Sequence, residues 1–286
     1  MIITDDVKLL VEIAIREDLG QTEGNQTGFI GDITTQSTID PDDIITTSMV
    51  SRERGILCGV DIAKYIFSRL APSVTLKTHL QDGDPVKPKD HILTITGKAQ
   101  EILQAERIAL NFMTHLSGIS THTALFVEAV KHTNAKILDT RKTLPAWRIL
   151  QKHAVKMGGG KNHRMGLYDM VLIKDNHIAA AGGITKALDR VAKANPYVKI
   201  EIEVDTLDQL KEVIDHGGAD IVLLDNMTPD ILRKAVALCD GKLITEASGG
   251  ITLESVVRVA ESGVDYISSG ALTHSVKVFD IGLDVC

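Results

Sequence analysis

After His132 the sequence repeats one unit: a short apolar run, a cluster of polar residues, then an amphipathic stretch with helical spacing. The apolar runs at 135–139, 170–174, 198–204, 221–225, 243–246 and 264–268 are too short for core helices and read as buried strands. Helix starts lie between them. Thr206 is followed by Gln209 three residues on, and Thr228 stands before Pro229 at a first helical position. Strands alternating with helices through short connections dictate a parallel sheet, and about six such units exceed half of a closed eight-stranded barrel. The expected fold is therefore α/β, a C-terminal α/β barrel. A doubly wound open sheet is the alternative, because sequence does not report closure.

The first part has a different rhythm. Residues 5–19 carry Val7, Leu10, Val11, Ile13, Ala14 and Ile15 at mostly helical spacing, with Gly20 as a stop. A polar, glycine-containing loop follows, then strands near 44–50, 56–59, 74–79 and 91–96 with a helix at 60–70, and two helices at 100–114 and 119–132. Strands in succession indicate an α+β domain. The expected boundaries are 1–114 for this domain and 115–275 for the barrel, with 276–286 packing back on the first.

Each strand of the second half ends in polar residues: Asp139 to Lys142, Lys174 to Asn176, Glu203 and Asp205, Asp225 and Asn226, Glu246 and Ser248, Ser268 and Ser269. Parallel α/β folds bind ligands at such carboxyl ends. Singly, each residue is an N-cap, a salt bridge or a solvated end; together on one face they favour a site. Its centre is MGGGKNHRMGLYDMVLIKDNH, residues 157–177, where three glycines lead into Asn162, His163 and Arg164. Glycine lets the backbone approach a ligand, and arginine, histidine and lysine supply donors and positive charge. In a chain of net charge −7, this local cluster points to a small anion and away from nucleic acid or a membrane surface.

Ser248, Gly249 and Gly250, with Ser269 and Gly270 one strand later, fall where barrels bind phosphate through backbone N–H groups at helix starts. A tight turn is the competing reading for either pair alone. Glu201, Glu203 and Asp205 alternate along one strand and share a face, so Glu203 with Asp225 could hold Mg²⁺; these acids could also pair with Lys174, Arg141 or Lys142. His153, His163 and His177 are expected on differently directed loops, which argues against zinc. Cys58, Cys239 and Cys286 lack CxxC spacing and read as reduced thiols. With no signal-peptide pattern in MIITDDVKLL and no segment of membrane-spanning length, a cytoplasmic chain is expected.

These motifs resemble the quinolinate phosphoribosyltransferase family. The matching pieces are GDITT at 31–35, RERGILCG at 52–59, AERIALNF at 105–112, DTRKT at 139–143, GGGKNHR at 158–164, LIKDNH at 172–177, EVD at 203–205, LLDN at 223–226, SGGI at 248–251 and GALTHS at 270–275. They cover nearly the whole chain in order. The resemblance implies transfer of phosphoribose from phosphoribosyl pyrophosphate to quinolinate, with release of pyrophosphate and CO₂. It implies Arg141, His163 and Arg164 as a clamp for the two carboxylates, with Arg107 reaching in from a neighbouring subunit. It further implies that Lys142 and Lys174 neutralise developing charge, that Glu203 and Asp225 hold Mg²⁺, and that Ser248, Gly249, Gly250, Gly270 and His274 seat the 5′-phosphate. A homodimer or dimer-based hexamer with shared active sites follows from the same resemblance. Two other classes compete: a Schiff-base enzyme using Lys174, and a non-catalytic phosphate- or dicarboxylate-binding regulator.

Overall fold

Thr4 caps the first helix, α1 (Asp5–Asp18): its hydroxyl accepts the Val7 N–H at 3.4 Å, and Asp5 and Asp6 complement the positive helix end. Then come α2 (Ile33–Thr38), β1 (Ile44–Ser51), β2 (Gly55–Ile56), α3 (Val60–Leu70), β3 (Thr75–Thr78), β4 (Pro85–Val86), β5 (His91–Lys98) and the long α4 (Ala99–Val130). The second half alternates through β6 (Lys136–Leu138), α5 (Arg148–Met157), β7 (Val171–Ile173), α6 (Asp175–Ala181), α7 (Ile184–Ala194), β8 (Ile200–Val204) and α8 (Leu207–His216). It continues with β9 (Ile221–Asp225), α9 (Pro229–Cys239), β10 (Ile244–Ser248), α10 (Val256–Ala260), β11 (Tyr266–Ser268) and α11 (Ala271–His274), before a last strand, β12 (Ile281–Val285). The computed structural model describes residues 3–194 and 197–286. It divides into two compact units: the chain up to His122 together with Val276–Cys286, and Thr123–Ser275.

In the first unit an antiparallel sheet runs in the order β12-β1-β5-β3. Met49 of the central strand pairs with Leu93 and with Leu283, so the last segment of the chain completes this sheet. Where two helices were expected, at 100–114 and 119–132, α4 runs unbroken. The residues that read as a break serve close packing instead. A Cβ on Gly118 would meet the Lys277 carbonyl oxygen at 2.3 Å, and Ser117 Oγ accepts the Cys58 N–H and donates to the Cys58 carbonyl. Glycine costs about 1 kcal/mol in a helix interior relative to alanine, an amount that long-range packing readily offsets. β2 is correspondingly shorter than the strand expected at 56–59, because Cys58 bonds to this serine.

The second unit is a six-stranded parallel sheet ordered β6-β11-β10-β9-β8-β7, flanked by its helices: the α/β architecture the alternation predicts. β6 and β7 are not paired with each other among the described residues. The outer edge of β6 instead makes a single parallel bridge, Leu138 to Lys161. The unit is thus barrel-like without a continuous ladder between its first two strands. Every residue of β8 is buried, so both faces are covered. Register then fixes which side chains share a level: Glu203 lies opposite Leu223, Leu223 opposite Glu246, and Asp225 opposite Ser248. No helix among the described residues is long and apolar enough to cross a membrane.

Candidate active site

A cavity of about 870 Å³ opens at the carboxyl ends of these strands. Its lining includes Arg141, Lys142, His163, Arg164, Lys174, Glu203, Asp225, Ser248, Gly249, Gly250, Gly270 and His274. The reason is the pleat. Leu172 pairs with Glu201 and Glu203 with Leu223, so Lys174, Glu203, Leu223 and Asp225 fall on the same face of neighbouring strands. Cationic side chains and oxygen ligands thus share one cavity.

Among the cations, Arg164 donates through Nη1 to the Met170 carbonyl at 3.3 Å. Burial, then the positive charge of Arg141, pulls the Arg164 guanidinium below its ordinary pKa. Arg141 carries a buried Nε with no hydrogen-bond partner in the protein. Two neighbouring guanidiniums, one with an unused buried donor, call for an anion between them.

The loop that presents His163 and Arg164 is fixed from beneath. Lys152 of α5 is 1% exposed and Asp139 is fully buried, with Nζ 2.5 Å from Oδ1. The same ammonium donates to the His163 and Arg164 carbonyls at 2.8 and 2.9 Å, and Asp139 accepts the His163 N–H at 2.9 Å. Burial pushes Asp139 up and pulls Lys152 down, each against the pull of its partner.

His163 Nε2 lies 3.0 Å from Glu201 Oε2 and 3.6 Å from Glu246 Oε1, both buried carboxylates. Burial pulls His163 down, but Glu201 and Glu246 outweigh it and favour the cation. Nδ1, however, accepts the Arg164 N–H at 2.8 Å, a bond that requires its lone pair. The backbone bond decides the tautomer: the ring keeps one proton, on Nε2. Burial and the neighbouring Glu201 push the Glu246 carboxyl up to about 7, which favours its protonated form. The three groups have the spacing of a metal site, yet a metal-binding histidine donates its other ring N–H, and here that nitrogen accepts. This trio does not fit a cation.

The pair Glu203 and Asp225 does. Both present carboxylate oxygens to the cavity from adjacent strands on one face, a donor set suited to a hard divalent cation. Glu203 Oε2 lies 2.5 Å from Lys174 Nζ, so the ion pairing weighed in the sequence is present as well. Asp205, expected to share this face, follows the end of β8; it is exposed, outside the cavity lining, and its N–H bonds to Gln209 Oε1.

The glycine loops that follow β10 and β11 also line the cavity. Gly249 has φ 94°, and a Cβ there would lie 2.2 Å from Asn226 Oδ1, so the position admits only glycine. A Cβ on Gly270 would meet Lys142 Cδ at 2.8 Å. The expectation of a helix start at the first loop fails: α10 begins at Val256, so Ser248, Gly249 and Gly250 line the cavity as a loop and not as a helix end. Gly270 does cap α11, a helix of four residues.

Arg107 is not part of this lining. It lies on α4 in the first unit, with a side chain 66% exposed and 4.0 Å from Glu106. His153 and His177, expected on loops, are on helices; His177 Nδ1 accepts the Lys174 N–H at the start of α6. Sequence reasoning missed Lys152 and the pairing of Glu201 with Glu246. The only sequence signal was a lysine beside Leu150, Ala154 and Val155 on the buried side of α5.

The family model described as Quinolinate phosphoribosyl transferase, C-terminal domain, matches residues 119–284, and its N-terminal counterpart matches residues 32–117. The chain is 42% identical over 300 residues to the chloroplastic nicotinate-nucleotide pyrophosphorylase [carboxylating] of Arabidopsis thaliana, covering 99% of this chain and 83% of that one. It is 44% identical over 259 residues to the Mycobacterium leprae protein of the corresponding name, covering 89% and 91%. A Nicotiana tabacum relative, 41% identical over 300 residues and covering 99% of this chain and 83% of its own, is named quinolinate phosphoribosyltransferase [decarboxylating]. The solved nicotinate-nucleotide pyrophosphorylase of Francisella tularensis superposes with a TM-score of 0.92 at 40% identity, over 99% of this chain and 96% of that one. With both domain models matched in order and the cavity lined by the motif residues, the chain belongs to the quinolinate phosphoribosyltransferase family.

Proposed function

We propose that the chain transfers phosphoribose from phosphoribosyl pyrophosphate to the ring nitrogen of quinolinate and releases pyrophosphate and CO₂, giving nicotinate mononucleotide for NAD biosynthesis. The pyrophosphorylase names of its relatives describe the same reaction in the opposite direction. The observation that carries the reading is the pair Arg141 and Arg164: adjacent guanidiniums facing one cavity, with a buried Arg141 donor left for a ligand. A pyridine with two adjacent carboxylates supplies acceptors for both.

In this reading the guanidiniums hold the acid so that its nitrogen meets the anomeric carbon as pyrophosphate departs. Lys142 and Lys174 stabilise charge on the leaving group, and the loops at Ser248 to Gly250 and at Gly270, with His274, hold the 5′-phosphate. Glu203 and Asp225 would hold Mg²⁺, which would supply charge neutralisation for the pyrophosphate. Once the nitrogen is alkylated and positive, the bond to the adjacent carboxylate breaks with CO₂ leaving; the electron pair stays on the ring carbon, stabilised by the neighbouring positive nitrogen, and that carbon then takes a proton. No covalent nucleophile is needed. The Schiff-base alternative is disfavoured because Lys174 Nζ is committed to Glu203 at 2.5 Å.

Formation of nicotinate mononucleotide from quinolinate and phosphoribosyl pyrophosphate with Mg²⁺, followed by chromatography with ultraviolet detection, tests the reading. Quinolinate binding without product would leave only a dicarboxylate-binding protein. We further propose that Arg107 acts in a partner subunit's site, within a homodimer or a dimer-based hexamer. Mixing Arg107→Ala with Arg141→Ala chains should then restore part of the activity, and a mixed dimer without restored activity would place each site within one chain.

A further inference from the structure

We propose that Lys152 is a positioning residue for quinolinate: from beneath the site, through Asp139 and two loop carbonyls, it holds the segment that aims His163 and Arg164 into the cavity. The proposal rests on the quinolinate reading above.

The geometry uses every donor of the ammonium. Nζ reaches Asp139 Oδ1 at 2.5 Å, the His163 carbonyl at 2.8 Å and the Arg164 carbonyl at 2.9 Å. An ammonium has three donors and no other role here, since Lys152 is 1% exposed and absent from the cavity lining. Asp139 closes the arrangement from the other side. Its Oδ1 accepts the His163 N–H at 2.9 Å, its Oδ2 accepts Asn162 Nδ2, and Asn162 Nδ2 also reaches the Lys152 carbonyl at 2.8 Å. Three consecutive residues, 162 to 164, are therefore tied by side chain, amide or carbonyl to one buried ion pair. A loop would otherwise turn these carbonyls toward water, and with them the direction of the Arg164 guanidinium. A helix lysine used only for solubility would point outward; one used only for packing would be replaced by an apolar residue, since a buried ion pair is rarely the more stable choice. The retained charge instead places two adjacent carbonyls at fixed directions, and the side chains at those positions are the proposed clamp.

Lys152→Met removes all three donated bonds at similar volume, and Lys152→Met/Asp139→Asn does so without leaving a buried carboxylate unpaired. In either variant that folds, KM and Kd for quinolinate should rise by roughly tenfold or more, while the corresponding values for phosphoribosyl pyrophosphate change less than about twofold. A purely structural role would lower the folded fraction and leave this ratio unmoved. Equal losses for both substrates, or an unchanged quinolinate KM in the folded double variant, would overturn the proposal. Hydrogen exchange on the unliganded wild type is the second arm: the His163 and Arg164 amides, both bonded, should exchange as slowly as those of α5, and rapid exchange would refute pre-organisation. This arm needs no substrate. A wild type that fails to convert quinolinate would therefore sink the functional reading while the positioning proposal is still decided.

Discussion

Lys174 Nζ and Glu203 Oε2 meet at 2.5 Å across the ends of β7 and β8, so a carboxylate suited to a divalent cation is already occupied by an ammonium. Glu203 is nearly buried, whereas the Lys174 side chain is 45% exposed. The lysine can therefore swing away more readily than the carboxylate. A cation held by Glu203 would compete with the lysine for one oxygen pair, and the donor's pyrophosphate is the anion that would give the displaced ammonium a new partner.

Direct Mg²⁺ titration tests that competition. Asp225→Asn should weaken Mg²⁺ binding and the Mg²⁺ dependence of turnover far more than it changes quinolinate affinity. Lys174→Met should do the reverse for the bare cation, tightening calorimetric Mg²⁺ binding while turnover falls. If Mg²⁺ binds both variants as it binds wild type, neither carboxylate is its ligand.

The two adjacent glycines of the 248–250 loop, the proposed phosphate seat, should respond differently to alanine. Gly249 combines φ 94° with a Cβ position 2.2 Å from Asn226 Oδ1, whereas a Cβ on Gly250, at φ 58°, meets nothing within 4 Å. Gly250→Ala should cost about 1–2 kcal/mol from the left-handed backbone alone. Gly249→Ala must also displace Asn226, and should lose both more stability and more affinity for phosphoribosyl pyrophosphate. Thermal unfolding and donor titration of both variants decide it; equal effects would mean the loop relaxes freely.

The positions of the site residues were legible because they obey strand periodicity. Glu203, Asp225 and Ser248 sit at the ends of short apolar runs, and a pleat can only send them to one face. What lies one layer deeper was not legible. Lys152 reads as an ordinary helix lysine, because sequence does not reveal that this side of α5 lies under the 162–164 loop. Asp205 continues the alternation of Glu201 and Glu203 but falls past the strand end, where the turn into α8 redirects it. The unbroken α4 was hidden for a related reason: Gly118 marks a close approach of the chain at Lys277, a contact more than a hundred residues away in sequence.

Glu246 gives the fold a pH signature. Its carboxyl is raised from 4.5 to about 7 by burial and by Glu201, so the folded chain retains a proton that the unfolded chain has released. The group thus costs no stability below the unfolded value and an increasing amount as pH rises from about 4.5 to 7, levelling above. The full cost is ~3 kcal/mol at 1.36 kcal/mol per unit. Glu246→Gln removes the titration. Its unfolding free energy minus that of wild type should increase between pH 5 and pH 7 and stay level from pH 8 upward, measured by urea denaturation across that range. A difference independent of pH would show that the extra proton is not on Glu246.

Arg164 carries the substrate assignment, because it and Arg141 line one cavity and are the proposed paired donors for two carboxylates. A guanidinium makes planar, paired hydrogen bonds to a carboxylate, and a lysine ammonium supplies charge without that geometry. Losing one charge-assisted bond in a sheltered site costs about 1.5–3 kcal/mol, so Arg164→Lys should lower quinolinate affinity by roughly tenfold to a hundredfold. Affinity for phosphoribosyl pyrophosphate should change less, since its proposed phosphate loops lie on β10 and β11. Calorimetric titration with quinolinate, and with nicotinate as the one-carboxylate control, separates charge from geometry. Wild type should prefer quinolinate strongly, and Arg164→Lys should lose much of that preference. A wild type that binds both acids equally, or a variant that discriminates as well as wild type, would leave the arginine pair without the role that its unused donor and mutual repulsion suggest.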